Sequence, residues 1–160
     1  MCGIAGIITQ APLTPADIAG VRTTNEKLTH RGPDGSGEFQ DANVMLAMRR
    51  LSIIDLDGGW QPLYNEDRTL ALVANGEIYN FVELRERLEK LGHHFQTHSD
   101  CETILHLYEE HGLDFVHQLE GDFAIGLDGA GDGFGFARQG IGLSAGDRSA
   151  AQLFQDCERR

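Results

Sequence analysis

Cys2 follows Met1 directly, in the run Met1-Cys2-Gly3-Ile4-Ala5-Gly6-Ile7-Ile8. Removal of the methionine would put a thiol and a free α-amine on one residue. The thiolate is the attacking form of cysteine, with a free-thiol pKa of about 8.5, and an α-amine titrates at about 7.7–8.0. Near neutral pH that amine can take a proton and return it, so a terminal cysteine is a nucleophile carrying its own base. Asn75-Gly76-Glu77 stands where a strand is expected to end and a loop to begin. An Asn side-chain N–H and the next backbone N–H can point at one oxygen, as an oxyanion site requires, and glycine permits the close approach. The same residues also make an ordinary tight turn. Arg49-Arg50 closes an apolar strand, where an arginine can clamp a carboxylate with two N–H groups or simply sit at the surface. Asp100 opens a helix, where it can hold an ammonium group or complement the helix dipole.

The histidines are not spaced as metal ligands, and no metal is expected. His106 and His111 are five positions apart, not the i, i+4 that stacks two ligands on one helical face, and His93, His94 and His98 fall in a connecting loop. Gly131-Asp132-Gly133-Phe134-Gly135 lacks the strand–helix context of a dinucleotide fingerprint, and there is no Gly-Lys-Ser/Thr phosphate loop.

The elements that must position these residues can be read from periodicity and punctuation. Residues 2–9 are apolar and β-branched and predict a buried strand beginning at Cys2. Thr14 and Pro15 predict the N-cap and first position of a helix whose inner face carries Ile18, Val21 and Leu28. The segment 31–37 reads as a turn-rich loop. Strands are predicted at about 43–56 and 69–75. A helix follows with Asn80 and Glu83 at capping-box spacing, Leu84, Leu88 and Leu91 on one face, and Gly92 as its stop. Ser99 and Glu102 have the same spacing ahead of Ile104, Leu107 and Tyr108, and Gly112 ends that helix. Residues 123–127 and 134–137 form an expected closing hairpin around an Asp/Gly-rich turn. The tail from 139 is rich in Gly, Ser, Ala and Gln, with a short helix expected at 149–160.

The 160 residues suit one domain with a real core, and 41% hydrophobic with 24% charged residues is ordinary for a soluble globular protein. A formal net charge of -12 repels phosphate backbones and anionic lipid, so neither nucleic acid nor membrane is an expected partner. No apolar run approaches the roughly 18–20 residues of a membrane span, and no signal peptide is evident, so a cytoplasmic location is expected. Cys2, Cys101 and Cys157 are too few, and odd in number, for a disulfide framework.

Six segments occur in an order that resembles a known family: Met1–Gly6, Arg31–Gly37, Arg50–Asp55, Gln61–Leu63, Asn75–Asn80 and Ser99–Glu102. Together they look like the class II, N-terminal-nucleophile glutamine amidotransferase domain of glutamine-dependent asparagine synthetases, over residues 2–138. The resemblance implies an α+β N-terminal-nucleophile hydrolase fold, a four-layer αββα sandwich of two antiparallel sheets. It implies glutamine as the substrate, Cys2 as nucleophile, and Asn75 with Gly76 as oxyanion donors. It gives Arg50 to the α-carboxylate of glutamine, Glu77 and Asp100 to its α-ammonium, and the backbone of Ile53 to the pocket wall. It implies no cofactor for this domain; ATP and Mg belong to the synthetase domain of the family.

After the hairpin the family continues Ala-Arg-Asp-Arg-Leu-Gly-Ile-Lys-Pro-Leu-Tyr, whereas this chain reads Ala137-Arg138-Gln139-Gly140-Ile141-Gly142-Leu143. Residues 139–160 are therefore read as a divergent or truncated tail. The Ser-Gly-Gly-x-Asp loop of the synthetase domain is absent from these residues, so no synthetase activity is expected of this chain alone. A stand-alone glutaminase, a subunit that feeds a separate synthetase, and a truncated, catalytically idle glutamine-binding module all fit. An unpaired sheet edge after residue 138 would also favour a homodimer.

Overall fold

Thr14 starts the first helix as its sequence predicts. Its hydroxyl accepts from Asp17 N–H and the Asp17 carboxylate accepts from Thr14 N–H, a complete capping box. The computed structural model describes residues 2–52, 58–129 and 133–139. Met1, Ile53, the 130–132 turn, and the tail from 140 with Cys157 and its expected helix lie outside the described residues. The strands are β1 (Gly3–Ile8), β2 (Gly35–Gln40), β3 (Val44–Arg50), β4 (Leu63–Tyr64), β5 (Leu70–Ile78), β6 (Gly121–Gly129) and β7 (Gly133–Gln139). The helices are α1 (Pro15–Lys27), α2 (Phe81–Leu91) and α3 (Glu102–His111), with 3-10 turns after α1 and α3.

The strands form two antiparallel sheets, ordered β1-β3-β2 and β4-β5-β6-β7. Side-chain alternation divides each between two cores. In β3, Met45 and Ala47 join Ala5 and Val21 against α1, while Val44, Leu46 and Met48 face the other way and meet Val73 of β5. In β5, Leu70, Leu72, Ala74 and Ile78 face α2 and α3 with Leu88, Ile104 and Leu107. The order is helix, sheet, sheet, helices: the four-layer αββα sandwich that the resemblance implies.

Several local expectations are corrected. Residues 35–37, read as the end of a loop, are the start of β2, because Gly35–Gln40 pairs along its whole length with β3. The short strand β4 was not anticipated either. β5 continues to Ile78, so Asn75-Gly76-Glu77 lies inside a strand, paired with Ala124, Phe123 and Asp122. Asn80 does not cap α2 with its side chain. Its amide donates to Gln118 O at 2.9 Å and accepts from Glu120 N–H at 3.0 Å, fastening the entry to β6. The N-cap of α3 is Cys101, not Ser99. The Glu102 carboxylate instead accepts from the backbone N–H groups of Gln96 and Thr97 at 2.6 and 2.7 Å. Burial opposes its charge, yet these bonds, with His106 and Thr97, hold its pKa below the usual carboxylate range. Leu91 is exposed rather than buried with Leu84 and Leu88.

Gly37 marks the tightest seam in the first sheet. A Cβ there would lie 1.8 Å from Gln61 O, a backbone atom, whereas a Cβ on Gly20 of α1 meets nothing within 4 Å. We expect Gly37→Ala to lower stability by about 1–3 kcal/mol through overpacking. Gly20→Ala should raise it by about 0.5–1 kcal/mol through helix propensity. Urea denaturation of the two variants checks the opposite signs.

Candidate active site

Cys2 packs with Ile4 and Ile8 into the core between the sheets, facing Val73 of β5. Alternation along β5 puts Asn75 and Glu77 on the face that carries Val73, and so toward the same inter-sheet space. The β1–β3 ladder pairs Gly3 with Arg49. Extended by one residue, that register sets Cys2 opposite Arg50. Strand period thus turns the proposed nucleophile, the Asn75 side chain and the Arg50 side chain toward the space between the sheets.

The thiol is held by backbone. Leu51 N–H donates to Cys2 Sγ at 3.3 Å, and Sγ lies 3.6 Å from Leu51 O. Arg31 Nε donates to Cys2 O at 3.2 Å. Asp34 donates its N–H to Arg50 O at 3.0 Å, and its carboxylate accepts from Ser52 N–H at 2.7 Å. The segment 31–34 therefore braces both Cys2 and the exit of β3. The sequence alone shows no task for Arg31 or Asp34. The signal lay in its cation and anion, spaced to reach two different strands.

Arg50 is buried, with its guanidinium 4.7 Å from the centre of the Trp60 ring. Gln61, next to Trp60, bridges the sheets: its backbone oxygen abuts Gly37, and its Oε1 accepts from Ala74 N–H at 2.6 Å. Asp100 is buried at the far end of β5, where its carboxylate accepts from Ile78 N–H at 2.8 Å. That bond fixes the carboxylate beside the strand end that bears Glu77, which is exposed.

Two features separate chemistry from packing. Asn75 Oδ1 is buried and takes no hydrogen bond among the described residues. An orphaned amide atom costs about 1–3 kcal/mol, and native proteins keep few of them. Cys101, next to Asp100, is a second free cysteine and, unlike Cys2, is buried. Burial first, then the Asp100 carboxylate, and in smaller part Cys2, push its pKa well above the ordinary thiol value. Cys101 thus stays protonated and unreactive, although it lies in the neighbourhood of Cys2.

This arrangement, a cysteine at the head of a strand between two antiparallel sheets with helices outside, defines an N-terminal-nucleophile fold. The chain belongs to the glutamine amidotransferase domain family, whose model matches residues 1–144. It is 46% identical over 146 residues to "Asparagine synthetase (glutamine-hydrolyzing) 1" of Arabidopsis thaliana, covering 91% of this chain and 25% of that protein. It is 50% identical over 126 residues to a probable asparagine synthetase (glutamine-hydrolyzing) of Dictyostelium discoideum, covering 78% and 23%. The chain thus spans about a quarter of the length of these curated relatives. A solved glutamine phosphoribosylpyrophosphate amidotransferase from B. subtilis shares the fold, with a TM-score of 0.59 at 20% identity over 81% of this chain and 35% of that one. Among the described residues no helix is long and apolar enough to cross a membrane.

Proposed function

We propose that this domain hydrolyses the side-chain amide of glutamine, releasing ammonia for a synthetase domain or subunit that makes asparagine, in the cytoplasm. The observation that carries the reading is that Cys2 and the Asn75 side chain, whose buried Oδ1 has no partner among the described residues, face one inter-sheet space. Membership of the glutamine amidotransferase family supports it.

With Met1 removed, the Cys2 amine takes the thiol proton. The thiolate attacks the glutamine amide carbon, and the oxyanion rests on the Asn75 side chain and Gly76 N–H. The ammonium so formed on Cys2 returns the proton to the departing nitrogen, and ammonia leaves. Water then attacks the γ-glutamyl thioester, giving glutamate and the free thiol. Arg50 grips the α-carboxylate, and Glu77 and Asp100 hold the α-ammonium. The cycle uses only groups of the chain, substrate and water, and so calls for no cofactor.

The test is intact mass together with glutamate release from glutamine. A chain lacking Met1 that turns over glutamine supports the reading, and a trimmed, folded chain without turnover overturns it as an autonomous activity. The clamp has its own prediction. Arg50→Lys keeps the charge but loses the planar fork, so KM for glutamine should rise roughly 10- to 100-fold with a smaller change in kcat. Steady-state kinetics on the two proteins check this.

A further inference from the structure

We propose that Glu66, His93, His106 and Glu109 form a structural zinc site on the helical side of the second sheet. The four residues come from three places: the turn after β4, the loop after α2, and α3 itself. One ligand atom from each lies within 4.8 Å of all the others. Sequence spacing points away from a metal because it compares the histidines of the helix with one another and sets those of the loop apart. The fold instead sets the ring of His93 4.9 Å from that of His106.

Of the four nitrogen–oxygen separations, two have the length that a tetrahedral ion needs, one is shorter and one is longer. His106 Nδ1 lies 3.0 Å from Glu109 Oε2 and 3.6 Å from Glu66 Oε2. His93 Nδ1 lies 3.5 Å from Glu109 Oε2 and 4.0 Å from Glu66 Oε1. Ligands about 2.0–2.2 Å from zinc in tetrahedral array stand roughly 3.3–3.6 Å apart. Two imidazoles and two carboxylates form a donor set that suits Zn²⁺, and they neutralise its charge.

The outer atoms are already engaged, as the supports of metal ligands are. Glu66 Oε1 accepts from His94 N–H at 2.8 Å, and Glu109 Oε1 accepts from Asn65 Nδ2 at 2.9 Å. His93 Nε2 pairs with Glu110 at 3.0 Å. His106 is fully buried. Its Nε2 has no hydrogen-bond partner and faces the Glu102 carboxylate at 3.9 Å. An imidazole bound through Nδ1 carries its proton on Nε2, where Glu102 awaits it. A cleft of about 430 Å³ reaches one of the four proposed ligands, Glu66, and has Glu102 in its lining as well. The site would staple α3 to two loops, away from the inter-sheet space that holds Cys2.

The test is Zn²⁺ titration of the untagged full chain after chelator dialysis, by calorimetry and by melting temperature. Cys2→Ala serves as the background, because a reactive thiol can bind zinc on its own. One equivalent should bind in that background and raise the melting temperature. His93→Gln and Glu109→Gln, at positions less buried than His106, should each weaken binding more than about 100-fold, and Glu110→Gln about 10- to 100-fold. Co²⁺ should give the intense visible bands of a tetrahedral site, absent in His93→Gln. Absence of stoichiometric binding in Cys2→Ala would leave the four residues as an ion-pair cluster and overturn the proposal. Undiminished binding in folded His93→Gln or Glu109→Gln would overturn it equally.

Discussion

Cys2→Ala should reduce glutamate release from glutamine by at least about 10⁴-fold while the protein keeps its fold. The covalent route has no substitute attacker, because alanine offers no lone pair and removing a nucleophile disables the residues that act with it. The one other cysteine among the described residues cannot take over. Cys101 is buried beside the Asp100 carboxylate, and its thiol is held in the protonated form. Cys101→Ala should therefore retain turnover. The fold should tolerate the loss of Cys2 because its side chain is only partly buried and its polar contacts are weak sulfur bonds to Leu51. The stability change should stay within about 1 kcal/mol. Coupled glutamate assays and thermal melts of both variants decide the matter. Full activity in Cys2→Ala, or its loss in a well-folded Cys101→Ala, would move the nucleophile elsewhere.

Much of this arrangement is legible in the sequence because strand alternation is a local rule with distant consequences. The period of two that turns Ile4 onto the inter-sheet core also turns Cys2 inward, and the period that buries Leu72 and Ala74 against the helices turns Val73 and Asn75 toward the first sheet. Helix starts were less legible. Thr14 caps α1 because its hydroxyl and Asp17 bond each other, whereas Asn80 and Glu102 have the right spacing but are drawn elsewhere, Asn80 to Gln118 and Glu102 to the loop before α3. The edge strand β2 was hidden by its glycines. Gly35 and Gly37 look like turn residues in isolation, yet they are needed where Trp60 and Gln61 press against the sheet. The His93–His106 meeting was hidden for a related reason. It joins a loop to a helix across a chain reversal, and no periodicity reports such an encounter.

Asn75→Ala should separate function from stability. If the Asn75 side chain donates to the oxyanion, its removal should lower kcat about 10²- to 10³-fold, the typical effect of losing one such donor. The folded state should not suffer. The present side chain keeps a buried oxygen without a partner, and deleting an unsatisfied polar atom removes a cost of about 1–3 kcal/mol. The melting temperature of Asn75→Ala should therefore equal or exceed that of the parent, as expected where a strained site is kept for activity. The neighbouring position behaves differently. A Cβ on Gly76 would lie 2.2 Å from Asp122 O and 2.5 Å from Phe123 Cα in the paired strand, so Gly76→Ala should lose stability and activity together. The contrast discriminates between two causes of inactivity on one strand. A destabilised Asn75→Ala that loses activity only in proportion to its unfolded fraction would make Asn75 a packing residue. A stable Asn75→Ala with kcat collapsed and KM little changed would fix its amide as a group that acts in the transition state.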